Sequence, residues 1–329
     1  MEYRGISLVT GAGGFVGRHL VALLLERGVR VRAMALPHET MDDLMRRGVD
    51  VVRADLTQPA TLPPLFEGGV DRVFHCAAIC NLSTPYRVLR LVNVDGVERI
   101  TSLALAASVR SFVHLSSTSV YGPYRGIPFR EDAPRQPQDS YGRSKRDGEA
   151  IVWQRAAEGL RVTVLRPCTV YGPGCTDGAG KVFSRPTSIG AVPGSGSQRL
   201  SNVRVEDVVA AAWHLSSHED AAGQAFNIAD DSHPAIGAAL AMAAQAFGAR
   251  PPRLHLPLGV VAAVARMQGF AARLARRIPD LELDAVRYLA GDYVVDNSRL
   301  KAAGYALRYP DFAESMRDMA ARYCQQQPA

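Results

Sequence analysis

A tyrosine and a lysine, Tyr141 and Lys145, stand four residues apart in the stretch Tyr-Gly-Arg-Ser-Lys. Four residues is about one helical turn, so the two side chains would lie on one face of a helix. A free phenol has a pKa of about 10 and is a poor acid or base near neutral pH. A neighbouring ammonium group stabilises the phenolate and lowers its pKa. The pair is therefore suited to proton transfer.

A tyrosine and a lysine at this spacing also occur by chance in many helices. A glycine-rich turn near the N-terminus makes a functional interpretation of the pair more specific. Gly11, Gly14 and Gly17 lie between a predicted strand at 6–10 and a predicted helix at 14–27. Glycine lets the backbone approach a pyrophosphate closely, and the helix N-terminus supplies free N–H groups and positive potential. This stretch predicts a dinucleotide site.

The composition excludes several function classes. The 329 residues are 47% hydrophobic and 21% charged, and the net charge of +6 comes from scattered arginines. Nucleic-acid binding is not predicted, whereas a positive balance suits an anionic cofactor. The five cysteines show no zinc-ligand spacing, so we predict no metal site and expect free thiols in a cytoplasmic protein. No signal peptide or membrane-spanning run is expected.

Short apolar segments alternate with helical ones through the first half of the chain. Predicted strands lie at 6–10, 29–36, 49–54, 72–76, 111–116 and 161–166, and predicted helices at 14–27, 88–109 and 141–158. This alternation predicts an α/β fold, a Rossmann-type doubly wound parallel sheet with helices on both faces. Ligands bind beyond the carboxyl ends of such strands. The glycine turn, Ser117 and Pro167 all fall there.

The second half of the chain changes character after residue 174. Residues 200–215 and 225–228 are expected to return to the sheet, and the chain from 233 onward predicts mainly helix. We expect two parts, a dinucleotide-binding Rossmann domain and a smaller, mainly helical substrate-binding lobe. The first would comprise 1–174 plus about 201–230, and the second 175–200 plus 231–329.

The end of the second strand bears on the choice between NADP and NAD. An acidic residue there would bind the ribose diol and repel a 2′-phosphate. This chain has no acid until Glu39, so the sequence favours NADP, with NAD as the alternative. Asp55 and Leu56, after the third strand, are predicted to meet the adenine ring. Ala77 and Ala78, after the fourth, would leave room for a flat cofactor.

The chain resembles the extended short-chain dehydrogenases/reductases, a large superfamily of NAD(P)-dependent epimerases, dehydratases and reductases. The resemblance spans nearly the whole length and rests on 10–17, 55–56, 75–78, 93–96, 117–122, 141–145 and 165–167. It implies that Tyr141 is the catalytic acid/base and that Lys145 binds the nicotinamide ribose and lowers the pKa of Tyr141. Ser117, with Thr118 as the alternative, would hydrogen-bond the substrate oxygen.

The resemblance also implies a cofactor site and an assembly. The cofactor-binding residues would be Gly11, Gly14, Phe15, Val16, Gly17, Asp55, Leu56, Ala77, Ala78, Asn93, Tyr141, Lys145, Pro167 and Cys168. Pro167 and Cys168 would lie beside the nicotinamide amide. A homodimer would form through helices at about 95–109 and 142–158.

Two branches of the superfamily compete. The stretches 165–174, 202–207 and 293–305 resemble the 3β-hydroxysteroid dehydrogenase-like reductases. Sugar-nucleotide epimerases usually carry a diphosphate-binding arginine where this chain has Leu200, with Arg199 one residue away. The leading prediction is an NAD(P)-dependent reductase or dehydrogenase acting on a ketone or secondary alcohol of a small hydrophobic substrate. The alternative is a nucleotide-sugar epimerase with tightly bound NAD, and the third is a non-catalytic dinucleotide-binding sensor.

An apolar stripe at helical spacing runs through 256–277, accompanied by arginines. It comprises Leu258, Val261, Val264, Met267, Phe270 and Leu274. We favour core or pocket wall for this stripe over a helix lying on an anionic membrane surface or a dimer contact. Two further expectations are that Asp230 and Asp231 occupy a solvated turn and that His75 and His114 pack inside buried strands.

Overall fold

The computed structural model describes residues 5–123, 128–176, 178–184, 190–275 and 281–326. The strands are β1 Ile6–Thr10, β2 Arg30–Ala35, β3 Asp50–Arg53, β4 Val70–His75, β5 Ser111–Leu115, β6 Val162–Pro167, β7 Thr169–Tyr171, β8 Val192–Pro193, β9 Asn202–Arg204, β10 Gln224–Ile228 and β11 His255–Leu256. The helices are α1 Phe15–Glu26, α2 Asp42–Arg46, α3 Tyr86–Asn93, α4 Asp95–Ala106, α5 Ser140–Ala157, α6 Lys181–Ser184, α7 Val205–Ser216, α8 Ile236–Ala246, α9 Leu258–Leu274, α10 Leu283–Tyr288, α11 Ser298–Ala302 and α12 Phe312–Gln326. No helix within these ranges is long and apolar enough to cross a bilayer.

The central sheet has seven parallel strands in the order β10-β6-β5-β4-β1-β2-β3. The chain runs outward from β1 to β3 and then returns to place β4 on the other side of β1. The strand order therefore reverses between β1 and β4, which is where ligands bind in such sheets. The predicted doubly wound Rossmann-type fold with a helical C-terminal part is confirmed.

Alternate residues of each strand feed the two faces of the sheet, as strand geometry requires. Val9 and Phe74 pack with α1 and α7 on one face, whereas Leu8 and Val73 pack with α4 and α5 on the other. Because both faces are covered, nearly all side chains of β1, β4, β5 and β6 are buried, polar ones included. His75 and His114 are buried and their rings stack at 5.5 Å, so the expectation that they pack inside strands is confirmed.

The predicted return of residues 200–215 to the central sheet is wrong. β9 pairs with β7 in a separate two-stranded sheet, and only β10 joins the central sheet, beside β6. The strand ends after three residues because α7 begins at Val205, with Glu206 and Asp207 in its first turn. Acidic side chains stabilise a helix N-terminus. The predicted helix at 88–109 is likewise two helices, since Val94 has a non-helical backbone.

Asp230 is fully buried, so its predicted place in a solvated turn is wrong. The Ser232 hydroxyl donates to Asp230 Oδ1 at 3.3 Å, while Oδ2 has no hydrogen-bond partner among the described residues. Burial raises the pKa of this carboxyl to about 9. The neighbouring Asp231 is half-exposed and forms an ion pair with Lys301 at 2.6 Å. The carboxyl of Asp230 is therefore protonated in the native protein at neutral pH.

Asp230→Asn is expected to flatten the loss of stability that Asp230 causes as the pH rises from about 4 to about 9. The unfolded chain ionises Asp230 above about pH 3.9, whereas the native carboxyl keeps its proton to about pH 9. Unfolding thus releases a proton, and this one group lowers the free energy of unfolding by about 1.4 kcal/mol for each pH unit in that window. Urea unfolding at several pH values measures the slope. The control Asp231→Asn should keep the wild-type slope, and an unchanged slope in Asp230→Asn would contradict the expectation.

Candidate active site

The glycine-rich turn joins β1 to α1 at the reversal of strand order. Gly11 has a φ of 65°, and a Cβ there would lie 2.8 Å from the backbone of Ala77. A Cβ on Gly17 would lie 2.0 Å from the carbonyl oxygen of Gly11. Gly14 donates its N–H to the same carbonyl at 3.0 Å. These glycines allow the turn to fold tightly against the ends of β1 and β4.

Helix α1 begins directly behind this turn without a capping side chain. Gly14 is its N-cap and makes no side-chain hydrogen bond. The N–H groups of Phe15, Val16 and Gly17 form the first turn, where helices lack internal partners. A pyrophosphate fits such a terminus. The glycines and first-turn amides of this chain therefore suit a dinucleotide.

The other predicted cofactor-site residues lie at the ends of β3 and β4, which β1 and β2 separate in the sheet. Asp55, after β3, accepts hydrogen bonds from the Thr57 backbone and hydroxyl, both at 2.8 Å. Leu56 is buried. Ala77, after β4, donates its N–H to the Thr10 hydroxyl at 3.2 Å. Asp55 thus forms a local turn, while Ala77 lies against the glycine turn.

Asn93 holds the segment after β4 against α5. Its Oδ1 accepts the N–H of Ile79 at 2.8 Å, and its Nδ2 donates to the Ile79 carbonyl and the Ser144 hydroxyl, both at 3.0 Å. Asn93 was predicted as a cofactor ligand. Its amide makes these three hydrogen bonds within the protein, so the structure gives it a positioning role.

The three predicted catalytic side chains converge at the carboxyl end of β5. Tyr141 and Lys145 lie on α5, whose first turn is capped by Asp139, with its Oδ1 accepting the Gly142 N–H at 2.7 Å. Lys145 Nζ donates to the carbonyl oxygen of Leu115, the last residue of β5, at 2.7 Å. Ser117 follows two residues later, its hydroxyl bonded to Ser119 Oγ at 3.1 Å, and it lies close enough to the Tyr141 phenol to lower the pKa of that group.

Thr118, the alternative to Ser117, is turned into the protein. Its side chain is buried, and its carbonyl oxygen accepts a hydrogen bond from the Tyr293 hydroxyl at 2.6 Å. Ser117 instead begins the short turn at Thr118–Tyr121 and accepts the Ser119 N–H at 3.1 Å. The geometry therefore favours Ser117 as the partner of Tyr141.

Burial is the largest influence on both titrating groups of the site. It raises the pKa of Tyr141 well above its usual value and lowers the pKa of Lys145. The nearby Ser117 hydroxyl acts in the opposite direction and lowers the pKa of Tyr141. A phenol held in its protonated form can donate a proton to a carbonyl oxygen. The site as it stands is arranged as an acid.

Cys80 contacts the Tyr141 phenol and was not singled out from the sequence. Its exposed side chain places Sγ 3.9 Å from the Tyr141 hydroxyl, and it contributes to the raised pKa of that group. The cysteine predicted beside the cofactor, Cys168, follows Pro167 of β6 and is buried, which raises the pKa of its thiol. No sequence signal marks Cys80, because the loop after β4 is brought to α5 by Asn93, 13 residues later.

A buried ionic network fixes α5 to the sheet beneath the site. Glu149, fully buried on α5, accepts from the Ser116 hydroxyl at 2.5 Å, from Arg166 Nη2 at 2.7 Å and from Arg135 Nη1 at 3.0 Å. Arg166 lies on β6 and also donates to the Tyr121 hydroxyl at 2.9 Å. Charged groups removed from water require such pairing. The network connects the helix that carries Tyr141 to the ends of β5 and β6.

Within the described ranges, no three His, Cys, Asp or Glu side chains cluster closely enough to hold a metal ion.

Known proteins share both the sequence pattern and the fold. A family model described as the NAD dependent epimerase/dehydratase family matches residues 7–229. Sterol demethylase protein B of Methylococcus capsulatus is 29% identical over 312 residues, covering 89% of this chain and 90% of that protein. The 3 beta-hydroxysteroid dehydrogenase/Delta 5-->4-isomerase of Mycobacterium tuberculosis is 30% identical over 247 residues, covering 69% and 65%. The structure of MoeE5 in complex with UDP-glucose and NAD has a TM-score of 0.75 and 26% identity, covering 98% and 99%.

Proposed function

The chain belongs to the NAD-dependent epimerase/dehydratase family, in its 3β-hydroxysteroid dehydrogenase-like branch, and we propose that it is an oxidoreductase. The reaction would interconvert a ketone and a secondary alcohol on a small hydrophobic substrate. One observation carries the proposal: Ser117, Tyr141 and Lys145 converge at the carboxyl end of β5, where burial raises the pKa of the Tyr141 phenol so that it keeps its proton.

Each residue of the site has a part in this reaction. The nicotinamide, when bound, supplies or accepts the hydride. Ser117 orients the substrate oxygen, and Tyr141 gives its proton to that oxygen in reduction or removes it in oxidation. Lys145 donates to the Leu115 carbonyl beneath the site. In its protonated form its ammonium group would stabilise the phenolate that remains after proton donation.

A hydrophobic substrate is favoured over a nucleotide sugar. The position of the diphosphate-binding arginine is occupied by Leu200. The adjacent Arg199 pairs with Asp292, at 3.4 Å between Nε and Oδ2, and its backbone N–H donates to the same carboxylate at 2.8 Å. The sterol demethylase protein B and the 3 beta-hydroxysteroid dehydrogenase/Delta 5-->4-isomerase described above are both named for sterols or steroids. The epimerase remains the second candidate because MoeE5, which binds UDP-glucose and NAD, shares the fold at 26% identity.

The location of the Glu39 carboxylate in the folded protein bears on the choice between NAD and NADP. Its carboxylate folds back to the end of β2, where Oε2 accepts the Leu36 N–H at 2.8 Å. Oε1 lies 3.1 Å from where a Cβ on Gly13 would be, beside the glycine turn. An acid between these two elements suits a ribose diol and repels a 2′-phosphate. We therefore propose NAD, against the preference for NADP drawn from the sequence.

Glu39→Gln is expected to raise the ratio of kcat/KM with NADPH to kcat/KM with NADH by about tenfold or more. Removing one negative charge within a few ångströms of a phosphate is worth about 1–4 kcal/mol in polar surroundings. Steady-state assays with both cofactors measure the ratio. Glu26→Gln, the same charge change at the exposed end of α1, serves as the control. A ratio that stays at the wild-type value in Glu39→Gln would exclude Glu39 as the discriminating residue.

The proposed activity is tested first on the protein as purified. Nucleotide released by denaturation is identified by mass spectrometry, and turnover is measured with NADH or NADPH on hydrophobic ketones and with UDP-glucose. Exchangeable cofactor and ketone reduction support the oxidoreductase. Stoichiometric, tightly held NAD together with epimerisation of the sugar nucleotide would replace it with the epimerase. Nucleotide binding without any turnover would support the sensor.

The homodimer and the cytoplasmic location stay predictions. Helices α4 and α5, which the resemblance assigns to the dimer, pack against each other on one face of the sheet. Light scattering of the purified protein measures its oligomeric state.

A further inference from the structure

Helix α9 presents a row of large apolar side chains to the outside of the molecule. Val260, Met267, Phe270 and Leu274 are 47%, 68%, 66% and 74% exposed. Their spacing of seven, three and four residues places them on one helix face. Single exposed apolar residues are ordinary, but a continuous row of them marks an interaction site.

The opposite face of α9 already has its partner. Val261 and Ala265 are buried against Val286 of α10, in a small cluster of their own. The prediction that the whole stripe forms core or pocket wall is therefore wrong for its second half, since Met267, Phe270 and Leu274 point away from this cluster. Val261, Ala265 and, in the second half of the helix, Ala272 are buried, whereas the outer row has no partner among the described residues.

The charge around this row indicates what that partner is. Residues 232–279 contain six arginines, at 250, 253, 266, 273, 276 and 277, and no aspartate, glutamate or lysine. Arg250, Arg253 and Arg266 are exposed. An apolar row beside unbalanced positive charge complements a surface that is apolar and negatively charged. A second copy of α9 would bring its own arginines against these, and like charges facing each other oppose association.

We propose that α9 docks the protein on an anionic phospholipid surface. Met267, Phe270 and Leu274 would lie at the boundary of headgroups and acyl chains, with Arg266 at the lipid phosphates. Amphipathic helices with arginine beside an apolar face bind membranes in this way. The proposal that α9 docks on lipid depends only on the exposed apolar row and the arginines beside it, and not on the proposed enzymatic function.

Docking would also place the active site near the lipid. Glu282, just before α10, accepts a hydrogen bond from Asn81 Nδ2 at 3.2 Å, and Asn81 follows Cys80 at the catalytic phenol. The surface on α9 is thus connected to the site through α10 and one loop. The further idea that an apolar substrate reaches the site from the membrane rests on the proposed function.

Vesicle flotation of the full-length protein tests the docking without any assay of activity. Vesicles of phosphatidylcholine are compared with vesicles containing about 30% phosphatidylglycerol, whose negative surface attracts arginine. We expect binding to the anionic vesicles at least tenfold stronger. Met267→Ser/Phe270→Ser/Leu274→Ser should lower this binding more than tenfold, and Arg266→Gln about fivefold. All three side chains of the triple variant are exposed, and circular dichroism with urea unfolding checks that it folds.

Met45→Ser is the matched control for Phe270→Ser. Met45 lies on α2 and is 55% exposed, close to the 66% of Phe270. Met45→Ser should bind anionic vesicles as the wild type does, whereas Phe270→Ser should bind more weakly. Absence of wild-type binding, or equal binding by the triple variant, would overturn the proposal. Conversion of a wild-type dimer to a monomer by the triple variant would also overturn it, because the row would then be a subunit contact.

Discussion

Tyr141→Phe lowers turnover by at least about 100-fold while nucleotide binding stays nearly unchanged. The change removes the hydroxyl that exchanges a proton with the substrate oxygen, and such a group contributes about 10²–10⁴-fold to the rate. The ring remains, so the packing around Ser117 and the position of Lys145 are kept. Steady-state kinetics measure turnover, and calorimetric titration measures nucleotide binding.

Tyr86→Phe is the matched control for this change. The Tyr86 hydroxyl donates to Asp147 Oδ2 at 2.6 Å, so the control also removes a phenol that is hydrogen-bonded to α5. Its turnover should stay within about twofold of wild type, because exposed polar contacts contribute little. Wild-type turnover in Tyr141→Phe would refute the role given to Tyr141.

Glu149→Gln lowers the free energy of unfolding by about 3–5 kcal/mol. Glu149 is fully buried and balances Arg166, whose side chain is only 3% exposed. The substitution leaves the guanidinium without a counter-charge, at the junction of α5 with β5 and β6. Because many single domains have only about 5–15 kcal/mol of stability, the unfolding midpoint in urea should fall sharply.

Two further variants test whether the unpaired, buried guanidinium of Arg166 causes the loss of stability in Glu149→Gln. The first is Glu158→Gln at the C-cap of the same helix, where the ion pair with Arg155 is partly exposed, and it should leave the unfolding midpoint close to the wild-type value. Glu149→Leu combined with Arg166→Met removes both charges and should be less destabilised than Glu149→Gln alone. A double variant at least as unstable as Glu149→Gln would show that lost packing, not unpaired charge, causes the destabilisation.

The sequence predicted those parts of the molecule that local pattern determines. Strands β1 to β6 follow from short apolar runs, and the glycine turn follows from Gly11 and Gly17, whose missing side chains the turn requires. The spacing of Tyr141 and Lys145 placed both on α5. Each of these features depends on neighbours within a turn or a strand.

The features that the sequence did not predict depend on contacts between distant residues. Asp230 is buried where the end of β10 meets β9, and its N–H donates to the Asn202 carbonyl at 2.8 Å. The sequence around Asp230 shows no sign of this contact and resembles a surface turn. The carboxylate of Glu39 lies beside the glycine turn, with Oε1 3.1 Å from where a Cβ on Gly13, 26 positions earlier, would be. Cys80 meets Tyr141 across 61 positions of sequence. Helical spacing predicts that one face of α9 is apolar, but not which residues of that face find a partner.

The three hydrogen bonds of Asn93 have a consequence for how this site can diversify. They fix Ile79 to the helix that carries the catalytic tyrosine, so the chain is anchored immediately before Cys80. Residues 81–85, up to the start of α3, can then change in length and side chains while Ile79 and Cys80 keep their places beside α5. Substitutions or insertions in this loop, in evolution or in engineering, can therefore alter the surroundings of a bound substrate without displacing Tyr141.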